Sequence, residues 1–113
     1  MFTIYHNPRC KKSRAGLKYL QDIGIEPEIV EYLKEPLSEG ELKKLLKMLG
    51  NKPQEMIRTQ EEVYRKQYKG KDLSDDEWVK VMVENPKLIH RPIVVKDGKA
   101  VLGDPAENID ELL

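Results

Sequence analysis

The chain has 113 residues, the size of one domain, and leaves no room for a second sizeable hydrophobic core. Its 20 basic and 20 acidic residues give a formal net charge of zero, so attraction of the whole molecule to nucleic acid is not indicated. A single cysteine excludes an internal disulfide and a zinc site built on several thiolates, and no apolar stretch reaches the ~18 residues of a membrane helix.

The first third of the chain predicts a strand, a helix and a second strand. Residues 2–5 are strand-like, no signal-peptide pattern precedes them, and we therefore expect a cytoplasmic protein. Residues 9–23 show helical spacing, and Gly24 is a natural stop. The expected buried stripe of this helix is Leu17, Leu20 and Ile23. A second strand at residues 29–32 completes a βαβ unit with parallel strands.

Two capping boxes, in which a serine is followed three residues later by a glutamate, each predict a helix start. They are Ser38 with Glu41 and Ser74 with Glu77. These helices are expected to end near residues 49 and 84, and residues 53–69 between them to be helical in two pieces. Residues 36–88 are therefore a predicted helical insert within one domain that spans residues 1–113.

The last quarter of the chain predicts a hairpin and a helix. The pair Asp97-Gly98 between two apolar runs is a strong hairpin signal. A final helix over about 105–113 would present Ile109, Leu112 and Leu113 to the core. The predicted order is thus β-α-β, a helical segment, and β-β-α.

Basic residues cluster around the cysteine. The first 21 residues hold five of the 20 basic residues and none of the 20 acidic ones. The five are Arg9, Lys11, Lys12, Arg14 and Lys18. A solvated helix face is one interpretation of this cluster. An electropositive environment for a reactive thiol is the other.

Cys10 lies where the first predicted strand gives way to the first predicted helix. Main-chain N–H groups at a helix N-terminus carry partial positive charge, so they stabilise a thiolate and lower its pKa. His6 could approach the sulfur across the turn. The alternative is a buried, inert cysteine, which the charged neighbours of Cys10 disfavour.

Ser13 stands where a dithiol redox protein carries its second cysteine, so a disulfide or adduct on Cys10 must be cleared by an outside thiol. The Ser13 hydroxyl could donate to the sulfur or a bound oxyanion, or could satisfy local backbone groups. The apolar neighbours of Arg58 are typical of a surface arginine with a packed aliphatic stem. Pro92, at the start of a strand, suits a cis peptide bond after Arg91.

Two long motifs resemble those of the glutaredoxin-coupled (ArsC-type) arsenate reductases. Residues 3–14 look like the active-site segment of that family, and residues 85–95 look like its second signature. The segments around Glu31 and Met56 also fit, so the resemblance covers essentially the whole chain. It implies an α/β fold of the thioredoxin-like (glutaredoxin-type) class, a four-stranded mixed sheet with a helical insert.

The resemblance assigns roles to individual residues. Cys10 matches the nucleophile, and His6 matches a histidine that helps to keep the thiol ionised. Arg58 and Arg91 match two of the three arginines that bind the tetrahedral oxyanion. The supporting residues of the predicted site are His6, Ser13, Arg14 and Pro92, the last matching a proline whose cis bond shapes the pocket. No metal is implied.

The third arginine of the family is absent, and its position aligns with Asp104. A carboxylate that pointed into the pocket would repel a dianionic substrate by on the order of 1 kcal/mol or more at a partly exposed site. Alternatively, Asp104 pairs with Arg91 or caps the last helix. We favour the cap because Pro105 follows as a good first helical residue.

The implied function is reduction of arsenate, or a similar oxyanion, to arsenite through a Cys10 adduct. No cofactor is bound, glutathione or another small thiol is the co-substrate, glutaredoxin or thioredoxin is the electron donor, and we expect a monomer. One alternative, motivated by Asp104, is a glutathione-dependent thiol reductase of the same fold. Another is a regulator like Spx, which contacts RNA polymerase, although Ser13 breaks its usual Cys-x-x-Cys switch.

Overall fold

A computed structural model describes all 113 residues. The chain forms two compact units: Met1–Glu35 with Arg91–Leu113, and Pro36–His90. The first unit contains the whole β-sheet and the second is helical. No helix in either unit has both the length and the apolar character needed to cross a membrane.

The sheet of the first unit has four strands in the order β2-β1-β3-β4. The strands are β1 (Phe2–Tyr5), β2 (Glu28–Val30), β3 (Ile93–Lys96) and β4 (Lys99–Leu102). β1 pairs in parallel with β2 and antiparallel with β3, and β3 pairs antiparallel with β4. The predicted four-stranded mixed sheet is therefore confirmed.

The predicted hairpin joins β3 to β4. Its two turn residues, Asp97 and Gly98, have positive φ angles of 50° and 76°. Such angles match the twist of a two-residue hairpin and suit glycine and aspartate. The hairpin places Arg91 and Gly103 at the same end of the sheet, just outside the paired strands.

The core of the first unit lies between the sheet and two helices, α1 (Lys11–Asp22) and the 3₁₀-helix Ala106–Leu112. Its buried members are Ile4, Leu20, Val94, Val101, Ile109 and Leu112. Two predicted core positions are wrong, since Ile23 is 46% exposed and Leu113 is 62% exposed. Each follows the last helical residue, so the helical spacing no longer applies there.

The second strand ends earlier than the sequence predicts. β2 stops at Val30, and the carbonyl of Glu31 accepts hydrogen bonds from the N–H groups of Lys34 and Glu35, both at 2.9 Å. The chain therefore turns where residues 31 and 32 were expected to continue the strand. Tyr32 is nevertheless buried, at 2% exposure, which explains its strand-like apolar signal.

The second unit contains α2 (Glu39–Leu49) and α3 (Asp75–Glu84), which pack against each other. Both predicted capping boxes are formed, with Ser38 and Ser74 accepting hydrogen bonds from the third residue of each helix. Between these helices lie a 3₁₀-helix, Pro53–Met56, and a π-helix, Tyr64–Tyr68. The two helical pieces predicted within residues 53–69 are therefore present, and both are short.

Candidate active site

The site is built on the turn from β1 to α1. Cys10 is the residue immediately before α1, with φ −93° and ψ 125°, and its side chain is half-buried. The Cys10 N–H donates to the carbonyl of Asn7 at 3.0 Å, and the Cys10 carbonyl accepts from the N–H of Arg14 at 3.0 Å. This geometry leaves the first N–H groups of the helix available to the sulfur.

The surroundings of Cys10 lower the pKa of its thiol. Burial acts to raise the pKa of the thiol. Hydrogen bonds from the N–H of Ser13, the guanidinium of Arg91 and the N–H of Lys12, with the positive charge of Arg91, outweigh burial. The pKa of Cys10 is lowered to about 7, so a large fraction is the nucleophilic thiolate.

Ser13 is completely buried, and its side chain is engaged in local hydrogen bonds. Its Oγ accepts from the N–H of Asn7 at 2.9 Å and lies 2.7 Å from Nδ1 of His6. The hydroxyl of Ser13 therefore satisfies a local backbone group, which is one of the two roles considered for it. The contribution of Ser13 to the sulfur comes from its main-chain N–H.

His6 is buried and lies against Ser13. Burial lowers the pKa of His6, the charge of Glu31 opposes this, and the charge of Arg14 adds to the lowering. The net direction is downward, which favours the neutral imidazole. The structure shows His6 as a hydrogen-bonding partner of Ser13.

Arg91 and Pro92 lie immediately before β3, and the side chain of Arg91 interacts with Cys10. The Arg91–Pro92 peptide bond is cis, as the sequence suggested. Pro92 is buried, and its carbonyl accepts a hydrogen bond from the N–H of Gly103 at 2.8 Å. The Arg91 side chain donates a hydrogen bond to the Cys10 sulfur. Its guanidinium carries several N–H donors in one plane.

Arg58 belongs to the second unit. Its side chain is 16% exposed, and Nη2 lies 3.5 Å from Oε2 of Glu61. Nε is buried and makes no hydrogen bond. The packed stem expected for Arg58 is present, and the side chain is more shielded than a surface position would require. A buried guanidinium with a free donor suits an anion ligand, and that role stays a prediction.

The predicted cap by Asp104 is wrong. The last 3₁₀-helix begins at Ala106, its N-cap residue is Pro105, and no side chain caps it. Pro105 adopts an extended conformation, with ψ 158°, so Asp104 is one residue too far from the helix. The Asp104 carboxylate instead lies 3.3 Å from Nζ of Lys12.

The basic cluster is exposed, with Arg9, Lys11, Lys12, Arg14 and Lys18 all reaching solvent. Lys18 pairs with Asp22 at 2.7 Å, and Nη1 of Arg14 donates to the carbonyl of Pro8 at 3.0 Å. Much of the cluster is therefore a solvated helix face. Within this cluster, the main-chain N–H of Lys12 is the group that lowers the pKa of the thiol.

Comparison with known proteins identifies the family. The model of the ArsC family matches residues 5–112, nearly the whole chain. The chain belongs to the ArsC family. Members similar to it include the uncharacterized protein YfgD of Escherichia coli K12, 46% identical over 97% of this chain and 94% of that protein. An arsenate reductase of Neisseria meningitidis is 39% identical over 97% of this chain and 96% of its own length.

A solved structure supports the same assignment. The arsenate reductase from Vibrio cholerae superposes with a TM-score of 0.94 at 46% identity, covering 99% of this chain and 97% of its own. This match confirms the predicted fold class. Together with the family match, it makes this ArsC-family chain a thiol oxidoreductase related to arsenate reductases, with Cys10 as its sole thiol.

Sequence reasoning missed two residues of this ArsC-family site. Asn7 donates its N–H to Ser13, and its Oδ1 accepts from the N–H of Arg9 at 3.0 Å. An asparagine in a turn before proline is the available signal, since its side chain often bonds main chain two residues on. Gly16 packs under Pro92, where a Cβ would lie 2.7 Å from Pro92 Cγ. A glycine inside a helix is its only signal.

Proposed function

We propose that this ArsC-family protein reduces arsenate to arsenite through an adduct on Cys10, with glutathione and then glutaredoxin or thioredoxin as the outside thiols. The observation that carries the proposal is the Cys10 thiol, whose pKa is lowered to about 7 by N–H donors and Arg91. A thiolate beside a guanidinium is suited to attack an electrophile that is itself an anion.

The proposed reaction has three steps. The Cys10 thiolate attacks arsenic, forming an S–As bond, and one protonated oxygen leaves as water. A glutathione thiolate then attacks the Cys10 sulfur. The S–As electron pair stays on arsenic, which becomes arsenic(III), and the two sulfurs are oxidised to a mixed disulfide. A second thiol attacks the glutathione sulfur and returns Cys10 as thiolate.

Arg91 is the oxyanion ligand with the most support, because its guanidinium already donates to the sulfur that the arsenic must approach. A planar fork of donors matches the oxygens of a tetrahedral oxyanion. Arg58 is proposed as a second ligand on the family resemblance, and its buried, unbonded Nε is consistent with a ligand-binding role. His6, Ser13, Arg14 and Pro92 are proposed as supporting residues.

The outside thiols are required because Cys10 is the only cysteine and Ser13 occupies the position of a resolving partner. A thiol that relies on external reductants suits a reducing compartment. We therefore propose that the protein works in the cytoplasm, as a monomer. Fractionation and the mass of the purified protein in solution test these two points.

The central test is arsenate reduction coupled to glutathione and glutaredoxin. The wild-type protein should produce arsenite, and Cys10→Ser should not. The matched control is Ser38→Ala, which changes a hydroxyl in the cap of α2 and leaves the residues around Cys10 unchanged. Equal rates for the wild type and Cys10→Ser would contradict the proposal.

A second candidate function is favoured by Asp104, whose carboxylate pairs with Lys12 at the position where the family resemblance places an arginine. In this case the enzyme is a glutathione-dependent thiol reductase that acts on protein or small-molecule disulfides. Incubation with a glutathionylated test protein distinguishes the two candidates. Release of glutathione at a Cys10-dependent rate, with no arsenite formed from arsenate, would favour the second.

A further inference from the structure

An ion pair in the first unit joins the first turn of α1, which follows Cys10, to the segment after β4. Nζ of Lys12 is 3.3 Å from Oδ2 of Asp104. Lys12 lies in the first turn of α1, two residues after Cys10, and its main-chain N–H acts to lower the pKa of the thiol. Asp104 follows Gly103, whose N–H is bonded to the carbonyl of Pro92 at 2.8 Å. Lys12 therefore lies in the turn that follows Cys10, and Asp104 lies beside the residue bonded to the segment of Arg91 and Pro92.

The pair is accessible and is not needed to hold the fold. The Lys12 side chain is 58% exposed and that of Asp104 is 35% exposed. Ion pairs with such exposure contribute little to stability because water screens them. A comparable pair, Lys18 with Asp22, occupies the far end of the same helix. What distinguishes Lys12 and Asp104 is their position at the turn that follows Cys10.

The charges of this pair are complementary to one end of a particular class of thiol. A free α-amino acid group carries an ammonium and a carboxylate on the same carbon atom. Its carboxylate can pair with Lys12 while its ammonium pairs with Asp104, so one ion pair is exchanged for two. The basic cluster of residues 9–18 contains no acid, and Asp104 supplies the acceptor for an ammonium that the cluster lacks.

We propose that Lys12 and Asp104 bind the α-amino acid end of the thiol co-substrate, and thereby select thiols such as glutathione over thiols without a free α-ammonium group. The inference rests on the proposed function in one respect, that Cys10 reacts with an outside thiol. It makes Asp104 a specificity-determining residue at the position where the family resemblance places an arginine.

The test follows one thiol–disulfide exchange that does not involve arsenate. Cys10 is first converted to a mixed disulfide with an aromatic thiol. The glutathione thiolate then attacks the Cys10 sulfur, forms a new S–S bond, and expels the coloured aromatic thiolate with the electron pair of the broken bond. The rate is compared with that of N-acetylglutathione, which lacks the ammonium group.

Two features make this comparison specific. The ratio of the two rates on one protein cancels any change in the reactivity of Cys10, and the same ratio on a small aromatic disulfide corrects for the thiols themselves. N-acetylation also makes glutathione more negative, so the basic cluster alone favours the N-acetylated thiol. A preference for glutathione therefore runs against the general electrostatic attraction.

We expect the wild type to prefer glutathione by about 2- to 5-fold, the range that partly exposed ion pairs provide. Asp104→Asn should abolish the preference, and the control Asp22→Asn should retain it. The exchanged variant Lys12→Asp/Asp104→Lys keeps an ion pair with reversed polarity and should also lose the preference. The inference is overturned if the wild type shows no preference, or if Asp104→Asn or the exchanged variant keeps it.

Arsenate reduction by the same wild-type sample separates this inference from the proposed function. Arsenate reduction without a preference for glutathione would refute the inference alone. A preference for glutathione without arsenate reduction would refute the proposed substrate and leave the role of Asp104 in place.

Discussion

The reactive thiol of Cys10 depends on main-chain donors as much as on charged side chains. Two of its hydrogen bonds come from N–H groups in the first turn of α1, at Lys12 and Ser13, which no side-chain substitution there removes. The third comes from the side chain of Arg91. His6 and Ser13 form a buried polar pair behind this turn. Substitution of Arg91 should therefore change the pKa of the thiol, whereas substitution of His6 should change the stability of the turn.

Replacing Arg91 should make Cys10 less acidic. Arg91→Gln removes both a hydrogen bond to the sulfur and a positive charge, so we expect the pKa of Cys10 to rise by about 1 from its value near 7. The pH dependence of Cys10 alkylation by iodoacetamide reports this pKa directly. The matched control is Arg9→Gln, an exposed arginine of the same cluster. An alkylation midpoint unchanged in Arg91→Gln would show that Arg91 does not stabilise the thiolate.

His6 should make the protein less stable in mild acid. Because the pKa of His6 is lowered in the folded state, the unfolded chain binds the proton more readily. The free energy of unfolding should therefore fall as pH drops below about 6.5 through the folded pKa, with no contribution from His6 above that range. Urea unfolding at several pH values should show a smaller loss for His6→Gln. Equal losses would mean that another group causes the decline.

The residues of the site could be predicted from the sequence to different degrees. Cys10 at a helix start is a local pattern, and the structure places it there. His6 and Ser13 are only seven residues apart, but their hydrogen bond forms because both side chains are buried. That burial depends on the rest of the fold, so the sequence alone did not indicate the bond. The partner of Asp104 is Lys12, at the opposite end of the chain, so no local pattern could indicate it.

At the scale of secondary structure, local capping and turn signals predicted the starts of α2 and α3 and the hairpin between β3 and β4. The helices after Ser38 and Ser74 begin where their capping boxes predict. The last helix has no cap by a side chain and is a 3₁₀-helix. The strand β2 ends early because a turn at Glu31 competes with it. Local hydrogen bonds thus fixed the predictable boundaries, and tertiary context fixed the rest.

The contact of α1 with the cis-proline segment should tolerate no added methyl group. Gly16→Ala places a Cβ 2.7 Å from Cγ of Pro92, and the side chain and its neighbours must shift. We expect a loss of about 1–3 kcal/mol in the free energy of unfolding. Gly40→Ala in α2 is the control, because its added Cβ meets nothing closer than 4.0 Å. This substitution should raise the free energy of unfolding by about 0.5 kcal/mol. Stabilisation by both would show that the close packing at Gly16 is not needed.

At the scale of the whole molecule, the two units are interleaved along the chain. The first unit is made of residues 1–35 and 91–113, and the second is the segment between them. β1 pairs directly with β3, so the sheet is complete only when both ends of the chain have come together. Such non-local pairing is slow to form compared with the local helices of the second unit. The prediction of a single domain requires that the two units unfold together.

A single domain should unfold in one transition that both units share. Trp78, the only tryptophan, is buried in the second unit, where it stacks on Tyr64 and meets Tyr68 edge-to-face. Its fluorescence therefore reports on that unit. Leu20→Ala removes a fully buried side chain from the core of the first unit, at a cost of about 2–5 kcal/mol. If the chain is one cooperative domain, this substitution must lower the urea midpoint measured by Trp78 fluorescence. Ile4→Val, a milder change in the same core, should lower it by less. A Trp78 transition that stays at the wild-type midpoint in both variants, while circular dichroism shows the sheet unfolding earlier, would establish two independent domains.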